Sequence, residues 1–448
     1  MKQSISRRGL LKLAGGGLGL AVGAAVLPRW RGSVLNPTLL DSASAQTTPP
    51  DLVFAGTDGW ISLPDGATNT PFFPDDLAPA PFNTYIFGFR NVTSSYDPNI
   101  SLGANLQIQG QKMKAQHNAP LFWTQQDVPF HLLLTNLGLA LRPDLTDAHT
   151  VHWHGFRNVI PFFDGEPSTS VSVPIGRDFT YVFNSHDPGT YMYHCHVEDV
   201  EHVQMGMTGL VFVRPAQDGQ NIGGFTKFVY NDGDGVTGYN REFALFLSEV
   251  WAEAHWADSH IQLPEWSDYK VDFAMINGRC WPDTIAPNSA INAAASAHSL
   301  ATETDANGDL LPTPGYEHLQ YQPLSSLVTC NEGERVLMRF SNLGFKQSAM
   351  TLSGIKMTVV GKDATFLRNS DGTSIIYDTH TVSINAGESA DVLFTAPPYQ
   401  GPGPYDTYIL YNRNFTTADG QAAGTNGQMT EVRVYPSGTL GAQTLPNT

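Results

Sequence analysis

Basic residues are scarce in this 448-residue chain: 25 Lys and Arg stand against 42 Asp and Glu, a formal net charge of −17. That deficit excludes nucleic acid and anionic membrane surfaces as partners, because both are gripped through basic patches. Cysteine is scarcer still, at three residues, so one disulfide at most can close. Long apolar runs are also missing. The nearest to one, Leu13 to Leu27, is short and rich in Gly and Ala, which argues against a permanent membrane helix. Helix-like periodic stretches are few, while Gly (42) and Pro (30) are abundant, and this composition points to an all-β protein.

Against these absences, one stretch is dense. Tyr191 to Val213 holds His194, Cys195, His196, His202, Met205 and Met207, a concentrated set of imidazole and soft sulfur ligands. Its first part, Gly189 to His196, reads as a strand leaving a Pro188-Gly189 turn. Side chains alternate along a strand, so Cys195 faces one way and His194 and His196 the other. A single strand can then serve two metal sites, one peptide bond apart. Upstream, Ala148-His149-Thr150-Val151-His152-Trp153-His154-Gly155 repeats the pattern. His152 and His154 share a face, and His149 has the opposite parity. Half of the fourteen histidines fall between positions 149 and 202. Two histidines, a cysteine and a methionine (His149, His202, Cys195, Met207) form the ligand set of a blue-copper centre, with thiolate and imidazole strong and the thioether axial.

Both stretches resemble the copper motifs of the multicopper oxidase and copper nitrite reductase superfamily, built on cupredoxin domains. The shared signatures are His-x-His-Gly (His152 to Gly155) and His-Cys-His (His194 to His196), followed by a histidine and, five residues on, the axial ligand (His202, Met207). The gap from Cys195 to His202 is two residues longer than in laccases and two shorter than in nitrite reductases. The resemblance implies two tandem cupredoxin-like Greek-key β-barrel domains. It also implies a type 1 copper on His149, Cys195, His202 and Met207. His152, His154, His194 and His196 would hold a second copper site or a type 2/type 3 cluster. Cys195, His194 and His196 would be the catalytic electron conduit.

The rest of the chain is consistent with export and two domains. Ser6-Arg7-Arg8-Gly9-Leu10-Leu11-Lys12 is a twin-arginine pattern, and Ala43-Ser44-Ala45 offers a cleavage site, so residues 1–45 read as a signal peptide directing the protein to the periplasm or outside the cell. Without them 19 basic residues face 41 acidic ones, a net charge of −22. Residues 46–80 read as an extended arm and 81–216 as the copper-binding domain. A polar Gly/Asp linker spans 217–240, and a second cupredoxin-like domain covers 241–437, with a tail at 438–448. Asp164 and Glu166 either supply protons near a copper site or cap a turn. His117 and His131 are structural. Cys280 and Cys330 either pair or remain buried free thiols.

The second domain departs from the family pattern. Where His-x-x-His-x-His-Gly is expected stands Ser348-Ala349-Met350-Thr351-Leu352-Ser353-Gly354, and His-Cys-His is replaced by Tyr411-Asn412-Arg413-Asn414. The second domain therefore has no type 1 ligands and none of the usual cluster histidines. His255 and His260 are either replacement ligands or surface side chains. The resemblance implies a laccase-like oxidoreductase taking electrons from a small molecule or metal ion, or from a redox protein, and passing them to dioxygen or another acceptor. The alternatives are a non-catalytic blue-copper protein and a nitrite-reductase-like enzyme. Two-domain relatives assemble as homotrimers; with these ligands absent, a monomer stands beside that arrangement.

Overall fold

Alternating apolar residues make strands of this chain, as the computed structural model shows for residues 48–65, 70–292, 297–414 and 427–448. The proposed signal peptide lies outside the described residues. The first eight strands are β1 (Leu52–Ile61), β2 (Thr84–Asn91), β3 (Phe122–Gln125), β4 (Pro129–Gly138), β5 (His152–His154), β6 (Asp178–Asn184), β7 (Gly189–His194) and β8 (Thr208–Arg214). They form two four-stranded sheets, ordered β2-β1-β4-β6 and β3-β8-β7-β5. Phe54, Phe122, Phe130, Trp153, Tyr181 and Tyr193 fill the space between them.

The second half carries β9 (Arg241–Val250), β10 (Phe273–Ile276), β11 (Val328–Asn331), β12 (Arg335–Asn342), β13 (Ser348–Leu352) and β14 (Met357–Lys362). It continues with β15 (Thr365–Phe366), β16 (Tyr377–Thr379), β17 (Thr381–Ile384), β18 (Ser389–Thr395), β19 (Asp406–Asn412) and β20 (Met429–Tyr435). A seven-stranded sheet, β10-β9-β12-β18-β14-β15 with β16 beside β14, packs on a five-stranded one, β11-β20-β19-β13-β17. The pairings repeat between halves. β1 runs parallel to β4 as β9 does to β12, and β3 parallel to β8 as β11 does to β20. The fold is all-β, with two cupredoxin-like barrels in tandem.

Two elements differ from the sequence reading. Residues 46–80 are not simply an arm, because Leu52–Ile61 is a wholly buried strand between β2 and β4. Its Gly56-Thr57-Asp58-Gly59 centre breaks the apolar pattern, and tertiary packing overrides that low propensity. Short helices also form among the described residues; the two that bear on the site are α1 (Asp199–Met205) and α2 (Ala252–Ser259). No helix among the described residues is long and apolar enough to cross a membrane.

Candidate metal centre

β7 ends at His194, and the chain then turns into α1, so Cys195 and His202 approach each other from a strand end and a helix. Asp199 and Glu201 sit in the first turn of α1, where carboxylates favour the helix dipole, and Gly206 closes it at φ +116°. His149 lies across a lone bridge to Val173. The ligand atoms of His149, Cys195 and His202 all lie within 4.8 Å of one another, and all three residues are buried. Cys195 Sγ is 3.2 Å from His202 Nδ1 and 4.0 Å from His149 Nδ1. The Thr150 amide donates to the sulfur at 3.4 Å. Met207 is fully buried, and its methyl lies against Gly56 together with the His149 ring. α1 absorbs the non-standard spacing between Cys195 and His202. Its acidic start and terminal Gly are helix signals that the sequence reading passed over.

Electrostatics favour a thiolate here. Burial opposes ionisation of Cys195, but His202 and His149 outweigh it and hold the thiol well below its ordinary range. Burial likewise opposes a charge on His202, yet Cys195 and Asp147 push it up to about 10. Asp147 Oδ2 lies 3.7 Å from His202 Nε2. Both imidazoles turn Nδ1 toward the sulfur while their Nε2 atoms make no hydrogen bond. A thiolate flanked by two inward Nδ1 atoms suits copper.

On the other side of the Cys195 backbone, the four remaining histidines converge. His152 of β5 sits opposite His194 of β7, and ligand atoms of His152, His154 and His194 all lie within 4.8 Å of one another. His196 joins them by its ring, with centroids 4.9 Å from His152 and 5.4 Å from His194. Backbone groups hold the outer nitrogens. His152 Nδ1 donates to the Asp164 carbonyl at 2.8 Å and His194 Nδ1 to the Cys195 carbonyl at 2.8 Å, while His154 packs its Nε2 against Gly387. Anchoring one ring nitrogen orients the other toward a metal. Burial keeps the His152, His154 and His194 rings neutral, most strongly His194 at about 3, and neutral imidazole is the ligating form.

Other sequence-picked residues fall elsewhere. Asp164 borders the cluster, and burial raises its carboxyl, whereas Glu166 is exposed and bonded to Ser168. Neither His255 nor His260 reaches the cluster. His255 is buried, contrary to a surface reading, with Nδ1 on the Tyr85 carbonyl at 2.6 Å; His260 pairs with Asp76 at 3.0 Å. Cys280 and Cys330 are unpaired and occupy separate cores. In the second half, β13 and β19 pair as β5 and β7 do. There Ser348 and Asn412 both donate to Gln428 Oε1 at 2.9 Å, and Gln428 Nε2 donates to the Ser248 carbonyl at 3.1 Å. A closed, buried polar network therefore stands where ligands would be.

Fold and site define a cupredoxin-type copper protein whose candidate histidine and cysteine ligands lie in the first half. Family profiles described as multicopper oxidase match residues 135–218 and 251–437, together more than half of the chain. The chain belongs to the multicopper oxidase family, whose cofactor is copper. Laccase-5 of Arabidopsis thaliana is 25% identical over 292 residues, covering 64% of this chain and 40% of that protein. An L-ascorbate oxidase of Brassica rapa subsp. pekinensis is 26% identical over 256 residues, 56% of this chain and 38% of its own length. The chain thus spans about two fifths of these curated relatives. Among solved structures, the Blue Copper Oxidase of Nitrosomonas europaea shares the fold at a TM-score of 0.51 and 18% identity, covering 85% of each chain.

Proposed function

We propose that this protein is an exported copper-dependent oxidoreductase, acting in the periplasm or outside the cell. It takes electrons from a small-molecule or metal-ion donor at the Cys195 centre and delivers them to dioxygen at the histidine cluster. The carrying observation is the pair of donor sets joined by one residue: His149, Cys195 and His202 on one side of the backbone, His152, His154 and His194 on the other. Copper, when bound, supplies one-electron exchange between its cuprous and cupric states.

The chain's own residues supply the rest. Cys195 presents a thiolate in a dry pocket, and the peptide bonds to His194 and His196 link the two sets covalently. The His194 Nδ1 bond to the Cys195 carbonyl, 2.8 Å long, adds a second short route. Asp164 holds a carboxyl 3.5 Å from His152 Nδ1, placed to give or accept a proton at the cluster. The second half contributes Gly387 as a prop for His154 and no ligand of its own at the Ser348/Asn412/Gln428 positions. That network favours a second reading, a blue-copper electron carrier whose histidine cluster takes no part in catalysis.

Copper per chain, read with visible and electron paramagnetic resonance spectra, separates the two. The oxidase reading expects an intense blue band that Cys195→Ser abolishes, further copper that a His152→Ala/His154→Ala double variant loses, and oxygen uptake with a reducing donor. A wild-type protein without the blue band overturns the assignment of Cys195. A blue protein whose double variant keeps all its copper and which consumes no oxygen is the carrier.

A further inference from the structure

A third set of donor atoms, sharing no residue with either copper set, converges at the C-terminal end of α2. His260 caps that helix, and ligand atoms of Asp75, Asp76 and His260 all lie within 4.8 Å of one another, the same spacing that gathers His149, Cys195 and His202. Asp75 is buried, Asp76 is exposed and His260 lies between them in exposure. The imidazole is held on two sides. Its ring stacks on Trp256, with centroids 4.0 Å apart and planes 19° from parallel. Its Nδ1 lies 2.8 Å from both the Trp256 carbonyl and the Ser259 hydroxyl. Ser259 in turn donates to Asp75 Oδ2, and the Leu77 amide donates to Asp75 Oδ1 at 2.9 Å. Each of these carboxylate oxygens keeps a second lone pair after accepting one hydrogen bond.

We propose that Asp75, Asp76 and His260 bind a divalent cation of the zinc class, at a site separate from the Cys195 centre and from the histidine cluster. His260 gives its Nδ1–H to a backbone carbonyl, the orientation metal-binding histidines use, and turns Nε2 toward Asp76 Oδ1 at 3.0 Å. In a neutral ring this sets a lone pair against a carboxylate oxygen, and a cation between the two removes the clash. A proton bridges only those two atoms; Asp75, the third donor, calls for a metal ion. No Lys or Arg forms an ion pair with Asp75 or Asp76 among the described residues. Burial, with Asp76 adding to it, pushes the Asp75 carboxyl above its ordinary range, so its negative charge is costly without a cation beside it. The C-terminal end of a helix is also its negative pole, which favours a cation there. One imidazole and two carboxylates, with a fourth position left to water, make a zinc-type donor set, whereas calcium and magnesium take oxygen ligands. The ion ties the segment before β2 to the end of α2.

The test takes the full chain loaded with copper, removes loosely held ions with a chelator, and equilibrates the protein with zinc alone. Zinc and copper per chain are then counted for wild type, Asp76→Asn and His260→Gln. The Asp76 side chain is 78% exposed, so Asp76→Asn deletes a ligand without disturbing packing. The expected result is one zinc per chain in wild type and none in either variant, with copper content and the blue band the same in all three. Zinc should also raise the melting temperature of wild type and leave that of both variants unchanged. Anomalous diffraction at the zinc edge on wild-type crystals supplies a variant-free check, expected to place a peak among the three side chains. No zinc uptake by wild type, equal uptake by wild type and both variants, or a zinc peak only elsewhere overturns the proposal. The zinc count involves no proposed copper ligand, so it and the blue band succeed or fail separately.

Discussion

Gly56 shows how a single residue can serve a metal site without offering a ligand. A Cβ at this position would fall 2.7 Å from His149 Cδ2 and 3.4 Å from the Met207 methyl. Glycine in a strand interior weakens the strand and often marks a close approach by another group. Here the group is the ring of His149, a proposed copper ligand. Gly56→Ala is expected to lower stability by about 1–3 kcal/mol through overpacking and to shift or weaken the blue band, because His149 has to move. Gly59→Ala is the control. Its Cβ would meet the Ala115 backbone nitrogen at 2.8 Å in the same strand, away from the ligands, and should destabilise without touching the spectrum. Thermal melts and visible spectra of the two copper-loaded variants decide; an unchanged spectrum in Gly56→Ala sinks the argument.

At the scale of elements, α1 and α2 meet through charge. Arg142 Nη1 donates to Asp258 Oδ1 at 2.5 Å, while Asp258 Oδ2 and Glu201 Oε1 are both buried with no donor between them. Burial, then the neighbouring Glu201, pushes the Asp258 carboxyl well above the usual carboxylate range, against the pull of Arg142. The folded state therefore binds this proton more tightly than the unfolded chain. Its contribution to stability is full below about pH 4 and is lost as pH rises through the raised value. Between about pH 5 and about pH 8 the melting temperature of wild type should fall more steeply than that of Asp258→Asn, which carries no titrating group. Parallel slopes would remove Asp258 from the account. This contact was not legible in the sequence. The alternating strands and the ligand parities were, because periodicity and soft-ligand chemistry are local properties. β1 and the burial of His255 were hidden, because each is decided by what packs against it, whereas the acidic start and closing glycine of α1 were local signals open to reading. Cys280 and Cys330 could be counted, but not assigned to separate cores.

Across the whole molecule, β7 links the proposed copper centre to the second half of the chain. Thr190 of that strand donates to Asp391 Oδ1 at 2.5 Å and accepts from Ser389 Oγ through its carbonyl at 2.6 Å. Asp391 also takes the Tyr230 hydroxyl at 2.7 Å and Arg339 at 3.3 Å, and Arg339 reaches Glu242 at 3.1 Å. Arg339, Glu242 and Asp391 are all at least 98% buried. Such a network adds little over an apolar seam, but breaking it is expensive because the survivors stay buried without partners. Asp391→Ala strands Tyr230 and Thr190 and halves the countercharge of Arg339, while Glu242 remains to soften the loss. The expected cost is about 3 kcal/mol, the low end for a severed buried pair. Since Thr190 lies on the strand that ends at His194, the damage should reach the metal. Denaturant unfolding followed in parallel by far-ultraviolet circular dichroism and by the blue band is expected to show both transitions moving to lower denaturant together. If the blue band keeps its wild-type midpoint while the circular dichroism shifts, the second half steadies itself alone and β7 is not the link.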